Sequence, residues 1–222
     1  MVVKDCDFTV QKGEIIGLMG ESGSGKSTLA KLLLGLEKPS QGEILLDGQP
    51  YSVKKSNVRI LLVFQDSLHS VNPNFTVEQV LTEALPKDVA REEIEAILED
   101  VGLDKSFLSQ PARQLSGGQL QRICIARGLL LKPDILIFDE ALSGLDPIVQ
   151  GRLLRLLYDL WEKYQLTYLF ISHDFKLSYS LCHRILVMAD GEIVDEIKDF
   201  ELPIQAHHPV TEKLIGDKGH FS

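Results

Sequence analysis

Little in these 222 residues belongs to a secreted or membrane-spanning chain. There are only three cysteines, Cys6, Cys124 and Cys182, an odd number at wide spacings and with no C-x-x-C pair. That pattern supports no disulfide framework and reads as thiols in a reducing cytosol. No apolar run approaches the ~18 residues a bilayer-spanning helix needs. The longest, around residues 60–64 and 135–138, are strand-sized. The N-terminus has no basic stretch followed by an apolar one, so no secretory signal is expected. Positive charge is short too: 23 Lys and Arg against 32 Asp and Glu leave a net charge of −9. Sequence-independent nucleic-acid binding relies on a basic surface, so no nucleic-acid partner is expected. Internal repeats and low-complexity tracts are lacking as well.

What remains is an ordinary globular composition, 44% hydrophobic and 25% charged, long enough for one core or for one core carrying a smaller lobe. Strand-like residues fill 2–10. An apolar strand over 14–19 runs into a glycine-rich loop, and 28–36 has helical spacing. Residues 42–46 followed by Asp47-Gly48 read as a strand and tight turn, and 59–64 as a buried strand. Past Gln65 the character changes. A polar stretch with Asn72-Pro73 precedes helical patterns over 76–85, 91–101 and 119–131. Apolar strands return at 135–138, 167–172 and 184–188, with an amphipathic helix over 147–164. The expectation is an α/β core of residues 1–65 and 133–222 with a mainly helical insertion, 66–132.

Chemistry enters with Gly20-Glu21-Ser22-Gly23-Ser24-Gly25-Lys26-Ser27, which fits G-x-x-x-x-G-K-[ST] and is followed by Thr28. A strand precedes it and a helix follows, the context such a loop requires. Its glycines let successive N–H groups point at phosphate oxygens, and the helix adds its N-terminal N–H groups and dipole. Lys26 is expected to reach the β- and γ-phosphates of ATP, and the Ser27 hydroxyl to ligate Mg²⁺. The strand at 135–138 ends in Asp139-Glu140. Ligands of open α/β sheets collect at carboxyl ends of strands. Asp139 is placed to hold Mg²⁺ directly or through water, and Glu140 to act as general base on the attacking water. Two further strand ends carry His173, a candidate γ-phosphate contact, and Gln65, whose amide can approach Mg²⁺ or that water.

The segment Leu115-Ser116-Gly117-Gly118-Gln119 puts a hydroxyl and two glycines at a helix start, a second anion-binding element. Between a phosphate loop and an Asp-Glu strand end, L-S-G-G-Q resembles the signature of ABC-type ATPases. The resemblance covers nearly the whole chain. Gln65 matches the family's Q-loop, Ser143-Gly144-Leu145-Asp146 its D-loop, His173 its switch histidine, and residues 190–194 the strand turn that follows. It implies a P-loop NTPase, RecA-like α/β core with an inserted α-helical subdomain. It also implies ATP hydrolysis with Mg²⁺ at the interface of a head-to-tail dimer, identical or paralogous. There Leu115, Ser116, Gly117, Gly118 and Gln119 serve the partner's nucleotide.

Within the family, Asp66-Ser67-Leu68, Ser70-Val71-Asn72-Pro73, 167–174 and His208-Pro209-Val210-Thr211 resemble the peptide and nickel importer branch. The runs 115–122 and 139–146 lean toward its nickel or metal-chelate members. That implies separate transmembrane permease subunits, indirectly a solute-binding protein, and a peripheral place on the cytoplasmic face of the membrane. Departures are Ala141 where a proline is common, and an adenine-stacking aromatic that the family carries upstream of the present Met1. His207 and His208, with no third ligand nearby, read as surface or interface residues rather than a metal site. Two other readings compete: a soluble non-transport ABC ATPase and a nucleotide-binding regulatory module.

Overall fold

The computed structural model describes residues 2–51, 59–64, 70–85, 89–142, 144–198, 200 and 204–216. From the N-terminus, β1 (Ile15–Met19) leads into α1 (Lys26–Leu33). A hairpin of β2 (Leu45–Leu46) and β3 (Gln49–Pro50) comes next, then β4 (Ile60–Phe64). Three helices, α2 (Val77–Thr82), α3 (Arg91–Asp100) and α4 (Gly117–Leu130), precede β5 (Ile135–Asp139). The chain continues through α5 (Pro147–Tyr164), β6 (Thr167–Ile171), α6 (Phe175–Leu181), β7 (Arg184–Ala189), β8 (Glu192–Ile197) and α7 (Pro209–Ile215).

The main sheet has the order β4-β5-β6-β1-β7-β8, parallel throughout except for β8, which pairs antiparallel with β7. β1 and β6 are buried at every position, as strands covered on both faces must be. The β7–β8 connection is a two-residue turn at Asp190 (φ 49°) and Gly191 (φ 87°). Positive φ at both positions gives the turn whose twist suits adjoining antiparallel strands.

The expected strand over 2–10 is not formed. Asp5 takes φ 40°, which breaks an extended path. The segment instead crosses the β7–β8 turn, with Lys4 N–H donating to the Gly191 carbonyl (2.7 Å). The remaining expected strands lie within a residue or two of their read positions, although the one expected over 42–46 shortens to β2.

Helix ends follow their capping residues. α2 and α4 each start with a reciprocal capping box, Thr76 with Gln79 and Ser116 with Gln119. α5 starts at Asp146-Pro147, and Gln165 in the left-handed region (φ 52°) ends it. Its Leu153, Leu156, Leu157 and Leu160 form one buried stripe. α4 is different: it buries residues nearly all round, because α2 and α3 pack on it and it also meets β4.

At the centre of the larger apolar cluster stands Phe138, fully buried on β5, edge-on to Tyr168 (ring centroids 5.0 Å) and near Phe170 (6.3 Å). The Tyr168 hydroxyl donates to the Leu157 carbonyl (3.1 Å), pinning β6 to α5. Phe138→Ala should cost about 3–5 kcal/mol, the range for aromatic-to-alanine changes in a packed core. Urea titration should give a lower midpoint at unchanged slope. An unmoved midpoint would show that this cluster is not what holds β5.

Candidate active site

Register decides where the chemistry gathers. Phe64 pairs with Asp139, Asp139 with Ile171, and Ile171 with Leu18, so β4, β5, β6 and β1 end at one level. The residues that leave these ends are therefore neighbours: Gly20 onward from β1, Glu140 from β5, and Ser172-His173 from β6. Gln65, next after β4, lies outside the described residues.

The loop from Gly20 to Gly25 closes tightly against β7. A Cβ on Gly20 would lie 2.2 Å from the Met188 carbonyl oxygen, so only glycine fits there. Gly25 (φ 111°) turns the chain into α1 with no side-chain cap, and leaves the helix N–H groups unscreened. The Lys26 ammonium donates to the carbonyls of Gly20 and Glu21 (2.8 Å each) and reaches Ser24 Oγ at 3.4 Å. Burial pushes its pKa down, while Glu140 and Asp139 pull it back up. The Asp139 carboxyl is pushed up by burial, against a hydrogen bond from the Ser27 hydroxyl; nearby Glu140 adds to the rise. Glu140 sits at φ 53°, and its backbone N–H donates to the Ile171 carbonyl (3.0 Å). Its Oε2 is 2.8 Å from His173 Nδ1.

These groups open on one cleft of about 730 Å³, lined by residues 20–23 and 25–28 together with Asp139, Glu140 and His173; Ser24 does not line it. A lysine, a glycine-rich turn and a helix start converge there, with two carboxylates and an imidazole. That is the donor set for a polyphosphate, with groups able to move a proton beside it. The Ser27 hydroxyl beside Asp139 is an all-oxygen pair of the kind Mg²⁺ takes.

A family model for ABC transporters matches residues 3–143. The chain belongs to the ABC transporter family. The nickel import ATP-binding protein NikE of Shigella dysenteriae serotype 1 is 43% identical over 206 residues, covering 87% of this chain and 77% of that protein. The metal-staphylopine import system ATP-binding protein CntF of Staphylococcus aureus is 40% identical over 221 residues, covering 96% and 88%. Among solved structures, CbiO1 from Clostridium perfringens, part of the ABC transporter complex CbiONQ, matches with TM-score 0.80 and 29% identity over 88% of this chain and 81% of that one. The ATP-binding cassette MJ0796, solved as a dimer in a post-hydrolysis state with ADP and Pi, matches with TM-score 0.73 and 28% identity over 89% and 90%. The P-loop NTPase α/β fold expected from the motifs is thus the fold of this ABC protein. Among the described residues, no helix is long and apolar enough to cross a membrane.

In this ABC protein the expected signature, residues 115–119, stands apart from the cleft. Ser116 is the N-cap of α4, Gly117 and Gly118 form its first turn, and Ser116 and Gly117 are exposed; Leu115 and Gln119 are half-buried. None of residues 115–119 lines the cleft among the described residues. Gly144 (φ 73°) and Leu145 lead to Asp146, whose Oδ1 accepts from the Ile148 N–H (2.9 Å); Ser143 lies outside the described residues. His207 bonds Asp195 through its backbone N–H (2.8 Å), and the His208 Nδ1 caps α7 by accepting from the Val210 N–H (3.2 Å).

Three cleft-lining residues went unread in the sequence. Val2, Lys213 and Leu214 border the cleft, and the Lys213 ammonium pairs with the Glu21 carboxylate on the phosphate loop. No local pattern marks them. The sequence separation of 192 between Glu21 and Lys213 is closed only by the fold.

Proposed function

We propose that this chain is the ATP-hydrolysing subunit of an importer, energising uptake of nickel, a metal chelate or peptides through a separate permease at the cytoplasmic face of the membrane. The observation that carries the reading is the convergence of Lys26, Ser27, Asp139, Glu140 and His173 on one cleft. Relatives whose names specify nickel and metal-staphylopine import support the solute class.

In this reading the Lys26 ammonium exchanges its protein acceptors for β- and γ-phosphate oxygens of ATP. The N–H groups of 20–28 hold the remaining oxygens. Ser27, Asp139 and Gln65 would hold Mg²⁺, which neutralises phosphate charge when bound. Glu140 takes the proton of the attacking water, and His173 orients that carboxylate and faces the γ-phosphate. Such a site works mainly by positioning and by charge compensation.

The reading also has two copies of the cassette meet head to tail, so that Leu115, Ser116, Gly117, Gly118 and Gln119 of one close on the nucleotide of the other. Gly144, Leu145 and Asp146 lie along that seam with Ser143. Two glycines in a first helical turn support it. Neither has positive φ, and a Cβ on Gly117 would meet nothing within 4 Å, that on Gly118 only Val149 at 3.9 Å. Glycine costs a helix roughly 1 kcal/mol relative to alanine. Nothing among the described residues requires it at either place, which points to bare backbone kept for a group outside the chain. Residues 1–65 and 133–222 then act as the nucleotide core, and 66–132 as the helical arm that receives the permease. A solute-binding protein delivers the cargo. ATP favours the closed pair and hydrolysis removes that preference.

Deleting the coding sequence from its host and measuring uptake of radiolabelled nickel, a nickel chelate and a peptide tests this. Uptake of one of the three should fall to background and return with the intact chain. If all three persist unchanged, the importer reading is wrong.

A further inference from the structure

We infer that Gln121 is a positioning residue for hydrolysis, holding the general base Glu140 in place from the signature helix; this rests on the catalytic reading above. Gln121 lies on α4 and is buried, 4% exposed. A side-chain amide taken out of water must find partners. Its Nε2 donates to the carbonyl of Ala141, the residue directly after Glu140.

The contact falls beside a residue in an uncommon backbone conformation. Glu140 is a non-glycine residue at φ 53°, a left-handed conformation that persists only when its surroundings over-determine it. One side of the residue is fixed by the Glu140 N–H donating to the Ile171 carbonyl. On the other side, one peptide further on, Gln121 holds the Ala141 carbonyl in the plane it shares with Leu142. One residue further on, Gln150 Nε2 donates to the Leu142 carbonyl at 3.1 Å. β6 therefore holds the peptide plane that enters Glu140, and α4 and α5 hold the second and third planes beyond it. The carboxylate position that allows the 2.8 Å contact with His173 depends on them.

Gln121 is five positions from Ser116, about 7.5 Å along the axis at 1.5 Å per residue. α4 is one continuous helix from Gly117 to Leu130, buried nearly all round. In the paired cassette, Ser116 faces the partner's nucleotide. The same rigid helix then carries the contact that aims the base of its own chain. A signature seated on the partner's phosphate and an aimed Glu140 are thus joined through one helix.

The test is Gln121→Met, which keeps length and burial and removes the donor, assayed in the full-length chain with its permease complex. Turnover should fall about 10- to 100-fold, the scale of a small misplacement of a catalytic group. KM and the affinity for a fluorescent ATP analogue should stay within about twofold, since neither depends on where Glu140 points. Gln121→Glu, which sets an acceptor against the Ala141 carbonyl, should be at least as slow with equally intact binding. In single-turnover assays, adding Gln121→Met to Glu140→Gln should cost nothing further, because both changes disable one group. Wild-type turnover in both single variants overturns the inference. So does a fall in nucleotide affinity that parallels the fall in turnover, which marks a merely structural glutamine. So does full additivity with Glu140→Gln. If wild-type turnover survives Glu140→Gln itself, the catalytic reading fails instead, and the two failures stay distinct.

Discussion

A Glu140→Gln chain should bind ATP with unchanged affinity and all but stop cleaving it. The substitution keeps the volume and the hydrogen-bonding shape of the side chain. Its amide oxygen can still face His173 Nδ1, 2.8 Å away in the native site. What it removes is the ability to take a proton, and general-base assistance is worth about 10²–10⁴ in rate. Phosphate release should fall by that factor. Because ATP then stays whole, the nucleotide-bound pair should accumulate, visible as an ATP-dependent shift from monomer to dimer mass in light scattering. Turnover within about twofold of the native chain would remove Glu140 from the role of base, since a group that transfers the proton cannot be lost so cheaply. Intact binding with no dimer would instead count against the head-to-tail pairing.

The parts of the fold that could be read in advance are those whose cause is local. α5 was legible because its start and its face are written in the chain: Asp146-Pro147 caps and starts it, and its leucines keep one buried helical stripe from Leu153 to Leu160. The buried strands were legible because covering both faces leaves an unbroken apolar run. The glycine loop was legible because a strand, a tight turn and a helix start must follow one another in sequence. α6 and α7 went unread: each is seven residues long, too short for helical periodicity to assert itself. The run over 2–10 was misread because its composition suits a strand, whereas Asp5 turns the backbone and the segment is needed across the β7–β8 turn. The contacts of Lys213 on the rim of the cleft and of Gln121, which lies in the run 115–122, were unreadable for one reason. Their partners, Glu21 and Ala141, are brought to them by tertiary packing alone. The motifs name side chains that line the cleft, and say nothing of those that hold them.

Lys26→Ala should leave a folded chain that no longer responds to ATP. The lysine is 8% exposed and burial pushes its pKa down, so its charge is carried at a cost that the loop carbonyls and the two nearby carboxylates offset. Removing it takes away the cost together with the bonds. Gly20 and Glu21 can be solvated through the open cleft that borders them, so the melting temperature without nucleotide should move little. Binding is another matter. Hydrogen bonds to charged groups are worth about 1.5–3 kcal/mol each. Losing two on the triphosphate weakens affinity by roughly 10²–10⁴-fold. Since a ligand that binds only the folded state stabilises it by mass action, the check is thermal unfolding with and without MgATP. The native chain should melt higher with nucleotide, and Lys26→Ala should melt at the same temperature in both. Lys26→Arg should recover only part of the shift, because its planar fork cannot sit where a compact ammonium bridges two loop carbonyls. A native-sized shift in Lys26→Ala would place the triphosphate somewhere other than the bend between β1 and α1.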